Sequence, residues 1–272
     1  MPDLLSAYPP GVWWVLLAAG ALIGLLAGLL GVGGGGVAVP VLLEIFQFLG
    51  VDQGMAVALA VGTAQANILI ASLTAVSAHW RAGTVDWRLV RAWTPALLVG
   101  TALGLWLGVV IPTNVLIGVF AAVALALAFK LGTGDRLAIA RMPPQGPLGQ
   151  VAPTLVGALA SAVGIGGGTL STPALSLFSF PIKQAIGAGA LFNLVIAAPA
   201  TAFFLASDRG VPGRTIDAIG DVALFCLAAL SLPALFVAPV AARWSIRAPV
   251  ALLRRLLALC LLAVVARLLF RV

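Results

Sequence analysis

The chain has 272 residues, of which 62% are hydrophobic and only 8% charged, with a mean hydropathy of +1.17. A water-soluble domain carries charge on near a quarter of its residues, so water is excluded as the solvent for most of this surface. The net charge of +7 sits on arginines near the ends of apolar runs, without a basic patch interleaved with aromatics, which argues against nucleic acid as a partner.

In chain order, apolar runs lie at about 11–30, 37–49, 55–79, 89–110, 114–131, 149–164, 169–180, 184–206, 218–240 and 249–270. They are continuous rather than alternating, so every element is expected to be a helix, and a transmembrane barrel is excluded. Most runs reach the roughly 20 residues that a spanning helix needs. Runs 37–49 and 169–180 are too short and read as half-helices or re-entrant elements. The first ten residues hold no Lys or Arg, unlike the n-region of a secretory signal, so the first run is expected to be retained as a helix.

Residues 24–42, GLLAGLLGVGGGGVAVPVL, match residues 157–175, GALASAVGIGGGTLSTPAL, at nine of nineteen positions with a constant offset of 133. The identities include Gly31/Gly164, Gly33/Gly166, Gly34/Gly167, Gly35/Gly168 and Pro40/Pro173. Beyond the prolines, Ala60-Val61-Gly62-Thr63 resembles Ala185-Ile186-Gly187-Ala188, which brings Asn67 and Asn193 within one residue of equivalence. The expected organisation is a first repeat at 1–131, a cytoplasmic linker at 132–148 and a second repeat at 149–272.

Arginine and lysine cluster at Arg81–Arg91, Lys130–Arg141 and Arg243–Arg255, and these loops are assigned to the cytoplasm. The N-terminus and the uncharged Ile111–Asn114 turn then lie outside. This orientation needs each glycine-rich segment to form a hairpin, followed by three spanning helices. The expected fold is therefore an all-α polytopic membrane protein of two inverted repeats. Arg209, Arg214, Arg267 and Arg271 fall on the outer side in this arrangement.

Interrupted helices in inverted repeats mark a binding site near the bilayer midplane. Glycines let the chain turn sharply, and the short helix that follows offers free N–H groups and a positive dipole end, which suits an anion. The candidate substrate-binding residues are Gly33, Gly34, Gly35, Gly166, Gly167, Gly168 and Thr169 at the turns. Thr63, Gln65, Asn67, Thr172 and Asn193 join them from neighbouring runs, with Ser171 beside Thr172. Glycines that merely let helices pack closely are the competing reading. Glu44, the carboxylate inside an apolar run, reads either as a coupling group or as an interfacial residue. Asp217 and Asp221 read as helix-start residues, and His79 and the tryptophans Trp13, Trp14, Trp80, Trp87 and Trp93 as interfacial. With two cysteines and one histidine, no metal or cofactor is expected, and no catalytic constellation points to an enzyme.

The paired motifs resemble those of the sulfite exporter TauE/SafE family, the TSUP transporters. So do Ala60–Thr63 and the loop RAGTVDWR from Arg81 to Arg88. The resemblance implies a multi-pass transporter of the bacterial inner (plasma) membrane. It would export sulfite or an organosulfonate such as sulfoacetate, with a coupling proton or cation and alternating access. An anion channel, or a transporter of carboxylate or thiosulfate, is the alternative. Ala188 departs from the family pattern, where Thr is common.

Overall fold

The structure, a computed structural model, describes residues 8–133, 146–207, 215 and 217–269. Arg136, Arg141, Arg209, Arg214 and Arg271, which enter the expected orientation, lie outside these residues. Among the described residues ten helices follow in order: α1 (Pro10–Leu30), α2 (Gly35–Phe48), α3 (Gln53–Arg81), α4 (Trp87–Val110), α5 (Thr113–Thr133), α6 (Pro147–Val163), α7 (Gly168–Ser176), α8 (Ile182–Ala206), α9 (Leu224–Arg247) and α10 (Val250–Leu269). Six of them, α1, α3, α4, α5, α8 and α9, are long and apolar enough to cross a membrane. The chain is a multi-pass, all-α membrane protein.

The helix ends follow local chemistry. Pro10 and Pro147 occupy the first turns of α1 and α6, where a missing N–H costs nothing. Both helices stop at a left-handed glycine, Gly31 and Gly164, whose N–H bonds the carbonyl four residues back. Asp52 caps α3 and Asp86 caps α4, each accepting from backbone N–H groups of the first turn.

One element departs from the all-helical expectation. Residues 218–223 form a two-stranded hairpin, Ala218–Ile219 against Val222–Ala223, turning at Gly220 with φ +58. The helix expected from 218 therefore begins at Leu224. Asp217 precedes the hairpin, accepting from the Tyr8 hydroxyl and from the Phe225 N–H in the first turn of α9, so it serves that helix start, whereas Asp221 lies in the hairpin turn. Two interfacial assignments also give way to burial. His79 is buried, with Nε2 against the Gly28 carbonyl and Nδ1 against the Thr84 hydroxyl. Trp93 is buried and stacks on Phe192 at 5.6 Å, while Trp14, Trp80 and Trp87 are exposed.

Close packing rests on small residues. Gly20, Gly24 and Gly28 on α1 lie against Leu230, Ala234 and Ala238 on α9; Gly100 and Gly104 on α4 lie against Thr154 and Ala158 on α6. In each case a Cβ would fall within 3 Å of the facing backbone. These are the small-residue seams by which helices approach without a hydrophobic driving force. The seams exchange the two halves, first helix of one against fourth helix of the other.

The same exchange relates the central helices. Gly62, early in α3, meets Phe204, late in α8; Thr84, just after α3, meets Gly187, early in α8. The two helices therefore run antiparallel and cross near their middles. α5 and α10 also correspond: their buried residues Leu116, Phe120, Ala124, Leu127 and Ala128 recur at Leu253, Leu257, Leu261, Val264 and Val265, always 137 residues on. At this offset Lys130 matches Arg267. Each reaches the end of the other half's short helix: Lys130 Nζ donates to the Ser176 carbonyl at 2.8 Å, and Arg267 pairs with Glu44.

Candidate functional site

The two broken helices touch at their breaks. A Cβ on Gly168 would stand 1.7 Å from the Gly31 carbonyl oxygen, and one on Gly35 would stand 2.4 Å from that of Gly164. These contacts are reciprocal, since Gly31 and Gly35 each recur 133 residues later as Gly164 and Gly168. Gly33 and Gly34 adopt φ +79 and +78, and Gly166 φ +88, a region closed to most side chains. Among the described residues, no acceptor is bonded by the N–H groups of Gly33, Gly34, Gly35 and Gly36. They open α2 and are buried, so they form an unfilled set of donors at a positive helix end.

Asn193, in the middle of α8, ties the crossing together. Its Oδ1 accepts from the Gly168 N–H at 2.7 Å, and its Nδ2 donates to the Gly31 carbonyl at 3.0 Å. Thr169 adds a second tie, its hydroxyl donating to the Val32 carbonyl at 2.8 Å. Gly33, Gly166 and Gly167 pack around α8 here, against Asn193 for the first two and Ile196 for the third. Thr172 faces the Ala185 carbonyl of α8 at 3.4 Å.

Asn67 and Asn193 do stand within one residue of equivalence, and that one residue sends their side chains to different neighbours. Gly62 and Gly187 set an offset of 125, which places Ile68 opposite Asn193, and Ile68 indeed packs on Gly166 as Asn193 does. One residue of slip turns a helix by about 100°. Asn67 consequently accepts from the Ser231 hydroxyl of α9 at 3.0 Å, and Thr63, one turn earlier, accepts from the Ala223 N–H at 2.9 Å.

Gln65 lies about 200° around α3 from Thr63 and Asn67, given 100° per residue. Helical spacing places it between Val61, which packs on Gly164, and Ile68, which packs on Gly166. Gln65 is fully buried, and neither its Oε1 nor its Nε2 has a partner. Ser171 on α7 is buried with an equally unpartnered hydroxyl. A buried amide without a partner costs about 1–3 kcal/mol, and such exceptions call for a ligand, water or ion. The sequence singled out Gln65, yet nothing in it separated this amide from its engaged neighbours.

A cavity of about 680 Å³ opens beside Gln53, Thr113 and Asn114 and reaches Val39, Val61 and Val163 next to the second glycine turn. Its lining holds no charged residue. Glu44 stands away from this lining, half-exposed and paired with Arg267. Among the described residues, no group of His, Cys, Asp and Glu could hold a metal ion.

Six apolar helices of spanning length, with two broken helices whose breaks meet in the interior, define a multi-pass membrane protein. The family model described as "Sulfite exporter TauE/SafE" matches residues 16–268, and the chain belongs to that family. It is 29% identical to a "Probable membrane transporter protein" of Haemophilus influenzae over 252 residues, 91% of this chain and 94% of the relative. A "Probable membrane transporter protein" of Methanocaldococcus jannaschii is 25% identical over 174 residues, 63% of this chain and 64% of its own length. No solved structure matches.

Proposed function

We propose that the protein is a secondary transporter of two inverted repeats, residues 1–131 and 149–272, that exports a small sulfur oxyanion, sulfite or an organosulfonate, across the inner membrane. The observation that carries the reading is that Gln65, a buried amide without partners, lies on the face of α3 that packs on the second glycine turn, which in turn touches Gly35 of the first, where the N–H groups of Gly33–Gly36 bond no acceptor among the described residues. These donors neutralise an anion without a lysine or arginine at depth, which would be expensive there. The reciprocal contacts and the antiparallel α3–α8 crossing support the inverted arrangement. Gly166, Gly167, Gly168, Thr169, Thr172 and Asn193 hold the second turn in place against the first, and Thr63 and Asn67 fix α3 against α9. The 680 Å³ cavity is the approach from one side, and rocking of the hairpins against the remaining helices opens the other.

Gln65→Leu tests this directly. Removing an unsatisfied amide for an apolar group of similar size leaves stability equal or higher. It also removes the proposed ligand contact. The expected result is an unchanged or raised melting temperature in detergent, together with loss of the stabilisation by sulfite or sulfoacetate that the wild type shows. A variant that melts lower but keeps its ligand shift would give Gln65 a structural role instead. Passive conductance of the anion without saturation in proteoliposomes would mark a channel.

Coupling to a proton or cation is the second part of the proposal. Glu44, exposed and ion-paired, fits the interfacial reading better than a carrier. Glu44→Gln should lower stability by at most about 1 kcal/mol, the range for surface pairs, and leave the pH dependence of sulfite flux unaltered. Flux that loses its pH dependence in this variant would assign the coupling proton to Glu44.

A further inference from the structure

The two mouths of the molecule are built on equivalent positions but differ in charge. On the face shared with the Arg81–Arg91 loop, a cavity of about 580 Å³ is lined by Ser179, Phe180, Ile182, Lys183, Val250 and Arg254. Lys183 belongs to this face because Gly187, one turn on, packs against Thr84 in the loop after α3. At the offsets of 125 and 137 established above, Ile182 corresponds to Val57, Lys183 to Ala58, Val250 to Thr113 and Arg254 to Ile117. All four counterparts line the larger, uncharged cavity of the opposite face or, like Ala58, form its wall. The start of α3 at that opposite mouth is capped by Asp52, a carboxylate, whereas α8 begins at Pro181 with no side-chain cap.

We infer that this basic face carries an anion-capture site, formed by Lys183, Arg254 and the uncapped start of α8, that collects a small oxyanion before it moves to the glycine crossing. The positive-inside bias accounts for basic residues on this side, but not for a cavity walled by them. Nor does it account for Lys183 being drawn inward, where Nζ donates to the Ile246 carbonyl at 2.6 Å. One carbonyl takes one of the three ammonium donors, and two remain for an anion. Positive charge in the lining of one cavity alone raises local anion concentration and association rate on that side. The asymmetry therefore favours loading from the face of Lys183, which sets the working direction as export. This inference rests on the anion-transport reading for the identity of its ligand.

The test uses Lys183→Gln, which keeps a donor for the Ile246 carbonyl and removes the charge, with Lys183→Arg as the conservative control. Sulfite flux is measured in proteoliposomes, with substrate presented to one face at a time. Lys183→Gln should raise KM by about tenfold from the basic face, the scale of one charge-assisted hydrogen bond. KM from the opposite face should stay within a factor of two, roughly the scatter of a neutral surface change, and Lys183→Arg should restore the value. KM unchanged at both faces, or raised equally at both, overturns the capture site and leaves the transport reading intact. A second measurement is independent of flux: acetylation of Lys183 by a neutral active ester, followed by mass spectrometry. Sulfoacetate should slow it severalfold relative to chloride at matched ionic strength. Protection without flux would uphold the site and sink the transport reading; no protection and no flux would sink both.

Discussion

Gly168→Ala should abolish transport and remove a large part of the protein's thermal stability. The added methyl would lie 1.7 Å from the Gly31 carbonyl oxygen and 2.9 Å from that of Gly189. Both obstacles are backbone, held by helices that cross at this point, so neither can rotate away. Overpacking costs about 1–3 kcal/mol where side chains can adjust, and here the two hairpins have to separate. Separation breaks the Asn193 bonds that span the same contact. Gly35→Ala, at the reciprocal contact of 2.4 Å, should act in the same direction with a smaller effect. Gly118→Ala is the control: it is exposed on α5, nothing lies within 4 Å of its Cβ, and the change should be neutral or stabilising. Melting temperature in detergent and sulfite flux in proteoliposomes check the series. Wild-type values for Gly168→Ala would show that the crossing is not a close contact.

Asn193→Ala should be the second most damaging single change, and far worse than Asn67→Ala. Loss of the Asn193 amide strands the Gly31 carbonyl and the Gly168 N–H in a dry interior, at about 1–3 kcal/mol for each buried group left unpaired. It also opens a gap between Gly33 and Gly166, both packed on that side chain. Asn67→Ala releases only the Ser231 hydroxyl from its 3.0 Å bond, worth about 1 kcal/mol. Melting temperatures for the two variants rank these costs. Equal losses would mean that Asn193 does not bridge the breaks. Flux measured at a temperature where each variant stays folded then separates positioning from stability, since Asn193 acts on the crossing and Asn67 on the α3–α9 seam.

The two glycine breaks were legible from the paired motifs, and the structure brings them into contact. The role of each polar residue was not. Thr63, Gln65 and Asn67 sit within five residues on one helix, and all look alike as intramembrane polar groups. Their neighbours separate them: Thr63 finds a partner on the α9 side, Asn67 finds one there for Oδ1 but none for Nδ2, and Gln65 finds none for either atom. His79 and Trp93 looked interfacial because they flank basic loops. They are buried because α1 and α8 pack over the end of α3 and the start of α4. Asp217 and Asp221 looked like a pair at one helix start; Asp217 does serve the start of α9 through the Phe225 N–H, while the turn at Gly220 leaves Asp221 in the hairpin.

The sequence by itself determined the solvent, the helices and the two glycine-rich breaks. Composition demands a bilayer, continuous apolar runs demand internally bonded helices, and the two Gly-rich motifs 133 residues apart mark where two of those helices break. Only the tertiary structure decided which polar atoms are spent on the protein and which remain for a ligand. Hydrogen-bond satisfaction depends on what the neighbouring helix presents at a given rotation, and a single residue of slip between α3 and α8 turns an asparagine from the crossing to the seam. That rotation is fixed by packing across more than a hundred residues of chain, which no local pattern encodes.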